Sequence, residues 1–134
     1  MSSFATFHVD VADAVDFGRT AIGQRRMVPI TGGTVTGEIG DGIVLTGADW
    51  QWIQDDGTIT LDAHYALKLN SGELVEVESR GTRFRNEAGE VVFHAAIRMS
   101  TSADRPDINR WMFISNGVRL ANQVILELHR VGQK

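Results

Sequence analysis

The sequence predicts an all-β protein, a single antiparallel barrel of about eight to ten strands spanning residues 1–134. Three observations lead there. Glycines are abundant and recur at turn intervals, as in Asp41-Gly42, Asp56-Gly57 and Ser71-Gly72. Thr58 to Leu69 alternates, with Ile59, Leu61, Ala63, Tyr65, Leu67 and Leu69 on one side and Thr58, Thr60, Asp62, His64 and Lys68 on the other, which is polar at every position but Ala66. A helical chain would lose about 1 kcal/mol at each interior glycine, and this one carries 14 glycines.

Taken in order, short strands are expected near Phe4–Val11, Met27–Ile30, Thr34–Glu38 and Ile43–Thr46, with Gly32-Gly33 as a tight turn between two of them. The alternating segment Thr58–Leu69 follows, bounded by hairpin signals at both ends. Glu73–Ser79 alternates again through Val75 and Val77, and Val91–Met99 places Val91, Phe93, Ala95, Ile97 and Met99 on one face. Trp111–Ser115 is a short apolar strand. The last segment admits two readings: Leu120, Val124, Ile125, Leu128 and Val131 suit a helical stripe, whereas Val124-Ile125-Leu126 favours a strand. The strand is preferred, because a final strand can close the sheet and remove its edges.

Composition bounds the function. With 43% apolar and 22% charged residues, the chain suits one core without staples. It has no cysteine, which removes disulfides, thiolate metal sites and cysteine nucleophiles. The net charge is −4, and Arg25-Arg26 is the one adjacent basic pair, so no nucleic-acid partner is expected. Met1-Ser2-Ser3-Phe4 shows no signal-peptide pattern, and no apolar run approaches a membrane span. A cytoplasmic protein that does not engage membranes is the expectation.

The order Gly23-x-Arg25, Pro29-Ile30-x-Gly32-Gly33-x-x-x-Gly37, Gly47-Ala48-Asp49-Trp50-Gln51, Asp56-Gly57 and Leu61-Asp62-Ala63-x-Tyr65-x-Leu67, with Arg80-Gly81 and Trp111 later, resembles the bacterial and fungal family of unknown function numbered 3237. The resemblance covers nearly the whole chain. It implies a small β-barrel with no cofactor, and it places Arg25, Asp49, Trp50 and Asp62 among recurrent motif positions. The chain departs from the pattern at His64 and His94, where arginine is usual, and at Ser100, where an acid is usual. Imidazole can exchange a proton near neutral pH, whereas guanidinium cannot.

The acid/base candidates are therefore Asp49, Asp62, His64 and His94, with Arg25 to stabilise an oxyanion. Trp50, Tyr65 and Trp111 are candidates for the pocket wall. Asp62 and His64, two apart in a strand, share a face; that face points either to solvent or into a ligand cavity. If both histidines pointed inward, the two rings would meet in one cavity. Each residue also has a structural reading: Asp49 as a turn cap, Trp50 as core filler, Arg25 in an ion pair. Buried, the Tyr65 hydroxyl would need a partner. No metal motif, nucleophile elbow, phosphate loop or dinucleotide fingerprint is present. Three functions are consistent with these features: a cofactor-independent enzyme moving protons on a small, largely apolar molecule (isomerase, lyase, hydratase or cyclase type), a non-catalytic ligand-binding or carrier barrel, or a solidly packed barrel that serves as an oligomeric or partner-binding scaffold; a homo-oligomer is compatible with any of them.

Overall fold

The computed structural model describes residues 3–132. The described residues form nine strands and one short helix: β1 (Ala5–Val11), β2 (Val15–Thr20), β3 (Gly23–Thr36), β4 (Gly42–Ile53), β5 (Ile59–Leu69), β6 (Leu74–Arg85), β7 (Val91–Ser100), α1 (Pro106–Asn109), β8 (Met112–Arg119) and β9 (Gln123–Arg130). Each strand from β3 to β9 pairs antiparallel with the next; β9 then pairs with β1, and β1 with β3. Eight strands thus close a barrel, and β2 lies outside it as a ninth strand on the first half of β3. The final segment is the strand that closes the sheet.

Alternation decides which side chains fill the barrel. In β5, Leu61, Tyr65, Leu67 and Leu69 are buried while Asp62, His64 and Lys68 are exposed. Val75, Val77 and Ser79 of β6 and Ala95, Ile97 and Met99 of β7 continue the inner layer.

Gly32-Gly33 is not a turn. It lies inside β3, where that strand takes β1 as a partner and Val9 stands opposite Gly33. Gly33 adopts φ +138°, and a β-carbon there would overlap the His8 carbonyl oxygen. A close approach of two backbones demands glycine as strictly as a tight turn does.

One end of the barrel is stoppered. Phe4 and Phe113 stack at 4.8 Å, Ile39 and Ile108 are fully buried beside the core, and the Arg130 guanidinium lies 4.4 Å from the Phe4 ring centre. The 101–111 connection that carries α1 is anchored by Arg105. Its guanidinium donates to Glu73 (2.6 Å), to both Asp107 oxygens (2.9 Å each) and to the Ile39 carbonyl (3.0 Å). Arg105→Ala is expected to cost about 2 kcal/mol in urea unfolding, as loss of partly shielded charge-assisted bonds does. Arg105 holds the Asp107 carboxyl below its ordinary pKa. That contribution is full above the ordinary carboxylate range and is lost as pH falls through the lowered value. The wild-type advantage over Arg105→Ala should therefore shrink in acid.

Candidate active site

The opposite end of the barrel is open, and its inner wall is polar. β4 bulges between Val44 and Gly47, after which Gly47, Asp49 and Gln51 share the inward parity; Asp49 stands opposite Val28 and Ala63. Gly47 is required there, because a β-carbon would overlap the His64 carbonyl oxygen and lie 2.7 Å from the Tyr65 Cα. Asp49 therefore sits in mid-strand and caps no turn.

A chain of hydrogen bonds orients it. Arg26 Nε donates to Gln51 Oε1 (2.6 Å), Gln51 Nε2 donates to Asp49 Oδ2 (2.8 Å), and the Asp62 backbone amide donates to Asp49 Oδ1 (3.0 Å). Burial nevertheless dominates and raises the Asp49 pKa; the bonds from Gln51 and Asp62 and the charge of Arg83 oppose that rise.

Asp49 lines two adjoining spaces. The outer one, about 240 Å³, is bounded by Arg26, Gln51, Arg83 and Arg119, with Val11, Val28, Leu61, Phe93 and Val124 behind them. The deeper one, about 50 Å³, is walled by Val9, Ile30, Ala63, Tyr65, Ser79 and Leu126. Val11, Asp49, Leu61, Phe93 and Val124 belong to both. Asp49 thus occupies the neck between a cationic mouth and an apolar floor. Tyr65 is 4% exposed, and its hydroxyl has no hydrogen-bond partner among the described residues. Burial, and then the Asp49 charge, push the phenol above its ordinary pKa, so it stays protonated.

The remaining sequence candidates stand on the outer wall. Arg25, Trp50, Asp62 and His64 line an open cleft of about 440 Å³ together with Ala63, Glu78 and Arg80. Arg25 stacks on Trp52 at 4.2 Å and on Trp50 at 5.1 Å, Phe17 of β2 packs 5.6 Å from Trp50, and Asp62 pairs with Arg80 at 3.4 Å. His64 Nε2 meets Glu76 at 2.6 Å, and His64, Glu76 and Glu78 bring three potential metal ligands within 4.8 Å of one another. All three residues are exposed. His94 contacts the Thr82 hydroxyl at 3.1 Å. The two histidines do not meet in one cavity, because even positions of β5 and β7 face outward. Trp111 lies at the stoppered end, 5.5 Å from the Arg130 guanidinium. Of the sequence candidates, the barrel interior receives Asp49 and Tyr65.

The interior also receives Arg26, Gln51 and Arg83, and the exposed Arg119 stands at its rim; sequence reasoning missed all four. Parity was the available signal. Arg83 is in step with Val75 and Val77, Arg119 with Phe113 and Ser115, and Arg26 with Val28 and Ile30.

Among the described residues no helix is long and apolar enough to cross a membrane. A UPF0311 protein of Bradyrhizobium diazoefficiens is 33% identical to the chain, over 94% of this chain and 92% of that protein. A crystal structure of a β-barrel-like protein from Acinetobacter baumannii superposes with a TM-score of 0.91 at 27% identity, covering 96% of this chain and 93% of that one. The structure of an enzyme from Penicillium herquei matches with a TM-score of 0.75 at 18% identity, covering 96% and 92%, a likeness of fold. A family model for a protein of unknown function, DUF3237, matches residues 1–131, and the chain belongs to that family.

Proposed function

We propose that the chain is a cofactor-independent enzyme that moves a proton on a small, largely apolar organic molecule held in the barrel, with Asp49 as the acid/base group. Isomerisation, elimination, hydration and cyclisation all fit this step. The observation that carries the reading is a carboxyl group with a raised pKa at the neck of a cavity. Burial brings its proton affinity closer to that of a working acid or base at neutral pH. The Gln51 and Asp62 bonds aim it. Asp62, His64 and His94 are exposed, where water would compete for their protons, so in this reading they carry no proton step. Arg25, held by two indoles outside the barrel, likewise stabilises no oxyanion within it.

The test begins with native mass spectrometry of the purified protein to identify a retained small molecule. Turnover of that molecule and its chemical neighbours is then followed in the wild type, Asp49→Asn, His64→Ala and His94→Ala. Activity is expected to vanish in the first variant and to persist in the other two. Full activity in Asp49→Asn would sink the reading. A molecule bound at the apolar floor and released unchanged would favour a carrier barrel instead.

A further inference from the structure

The mouth of the cavity is electrically unbalanced. Three guanidinium groups, Arg26, Arg83 and Arg119, line it with one carboxylate, Asp49. Arg26 is tied to Gln51. Among the described residues, neither Arg83 nor Arg119 forms an ion pair within 4.0 Å or a side-chain hydrogen bond. Arg83 is half-buried, with the Phe93 ring 5.8 Å from its guanidinium. Three like charges that converge on a single carboxylate cost folding free energy, and the cost is consistent with function when a second anion enters between them. The chain as a whole carries −4, so this concentration of positive charge runs against its overall balance. In the deeper space that adjoins it, the Tyr65 hydroxyl is buried without a partner among the described residues. An orphaned hydroxyl beside a cavity is a second, independent mark of a missing ligand atom.

We infer that the molecule taken up by the barrel is an amphiphilic organic anion: a carboxylate or similar oxyanion held by Arg83 and Arg119 at the mouth, a flat apolar body along Phe93, Leu61 and Val124, and a hydroxyl or carbonyl oxygen at the inner end that bonds Tyr65. The inference deepens the proposed function by naming its substrate class, and it rests on the same cavity. The guanidinium fork matches a planar carboxylate, which adds orientation to attraction. Asp49 at the neck would then face the middle of the molecule, between its charged head and its polar tip.

Isothermal titration of the full chain tests this with three probes. 4-Hydroxyphenylacetate carries all three features, phenylacetate lacks the inner hydroxyl, and 4-hydroxyphenylacetamide lacks the charge. The hydroxylated acid is expected to bind at least about tenfold more tightly than its amide, a difference the size of a charge-assisted hydrogen bond. Its affinity should fall with added salt. Arg83→Gln and Arg119→Gln should each weaken the acid and leave the amide unchanged. Tyr65→Phe should erase the preference for 4-hydroxyphenylacetate over phenylacetate while phenylacetate still binds. Thermal melts of each variant separate lost binding from lost folding, and Arg119→Gln, at an exposed position, serves if Arg83→Gln unfolds. Equal affinity for acid and amide, failure of every probe to bind, or intact acid binding in both arginine variants overturns the inference. Its failure is distinguishable from failure of the proton-transfer reading. Asp49→Asn is expected to keep anion binding while losing turnover; anion binding together with full turnover in that variant would sink the catalytic reading and leave this one standing.

Discussion

Asp49→Asn is expected to lower kcat by about 10²–10⁴-fold, the usual worth of one positioned acid/base group, with KM little changed. Asparagine has the same shape, and its carbonyl oxygen can still accept one of the two bonds now made by Gln51 Nε2 and the Asp62 amide. What it lacks is an exchangeable proton of suitable affinity. The wild-type acid limb of kcat/KM should lie above the ordinary aspartate pKa of about 3.9, because burial raises the Asp49 value; in the variant that limb should be absent. Stability follows the same linkage with a definite sign. A carboxyl group whose folded pKa is raised is harder to ionise in the folded state than in the unfolded one. Its ionisation therefore removes stability as pH rises from the unfolded pKa to the folded one, with no further change above. Urea midpoints of wild type and Asp49→Asn should diverge over that window in favour of the variant. A pH-independent difference would mean that burial does not set the Asp49 pKa.

Gly47→Ala is expected to be strongly damaging, lowering stability by about 3 kcal/mol or more and the melting temperature by roughly 10 °C. The new methyl group would overlap the His64 carbonyl oxygen and crowd the Tyr65 Cα and Cβ. Those are backbone and near-backbone atoms of the neighbouring strand, with no flexible end that could swing aside. Displacing β5 would also move Tyr65 away from the deep recess, so any variant that folds should bind apolar ligands poorly. Gly57→Ala is the control. Its φ of +88° disfavours alanine, but among the described residues nothing beyond its two chain neighbours lies within 4 Å of the added carbon. About 1 kcal/mol is expected there, with ligand binding intact. Equal losses at the two positions would show that backbone conformation, and not the close approach of β4 to β5, makes Gly47 necessary.

The barrel was legible wherever one face of a strand is buried and the other wet. β5 and β7 are read correctly from alternation alone, because interior and solvent impose opposite demands on successive residues. β2 escaped notice because it pairs on one side and leaves Val15 and Phe17 exposed, so no alternation marks it. Turn-like dipeptides that contain glycine are ambiguous in principle: Ser71-Gly72 turns the chain, whereas Gly32-Gly33 lets two strands approach. The site was legible in the same uneven way. Asp49 emerged as an acid within the recurrent Gly47-Ala48-Asp49-Trp50-Gln51 motif, and Tyr65 as a phenol on the apolar face of its strand. The histidines drew attention through their chemistry, but their parity with Thr60 and Lys68 already put His64 on the wet side. Arg83 and Arg119 were passed over because a charged residue near a strand end is ordinarily solvated; only closure of the sheet turns those ends into the rim of one opening.

The packed end formed by Phe4, Phe113, Ile108 and the Arg105 anchor has a kinetic consequence. A vessel with a single door cannot be loaded from one side and emptied from the other. If the proposed reaction runs in this cavity, a molecule that enters past Arg83 and Arg119 leaves past them before the next one arrives. Accumulated product should then compete directly with substrate, and the rate of exit through that doorway sets a ceiling on every turnover.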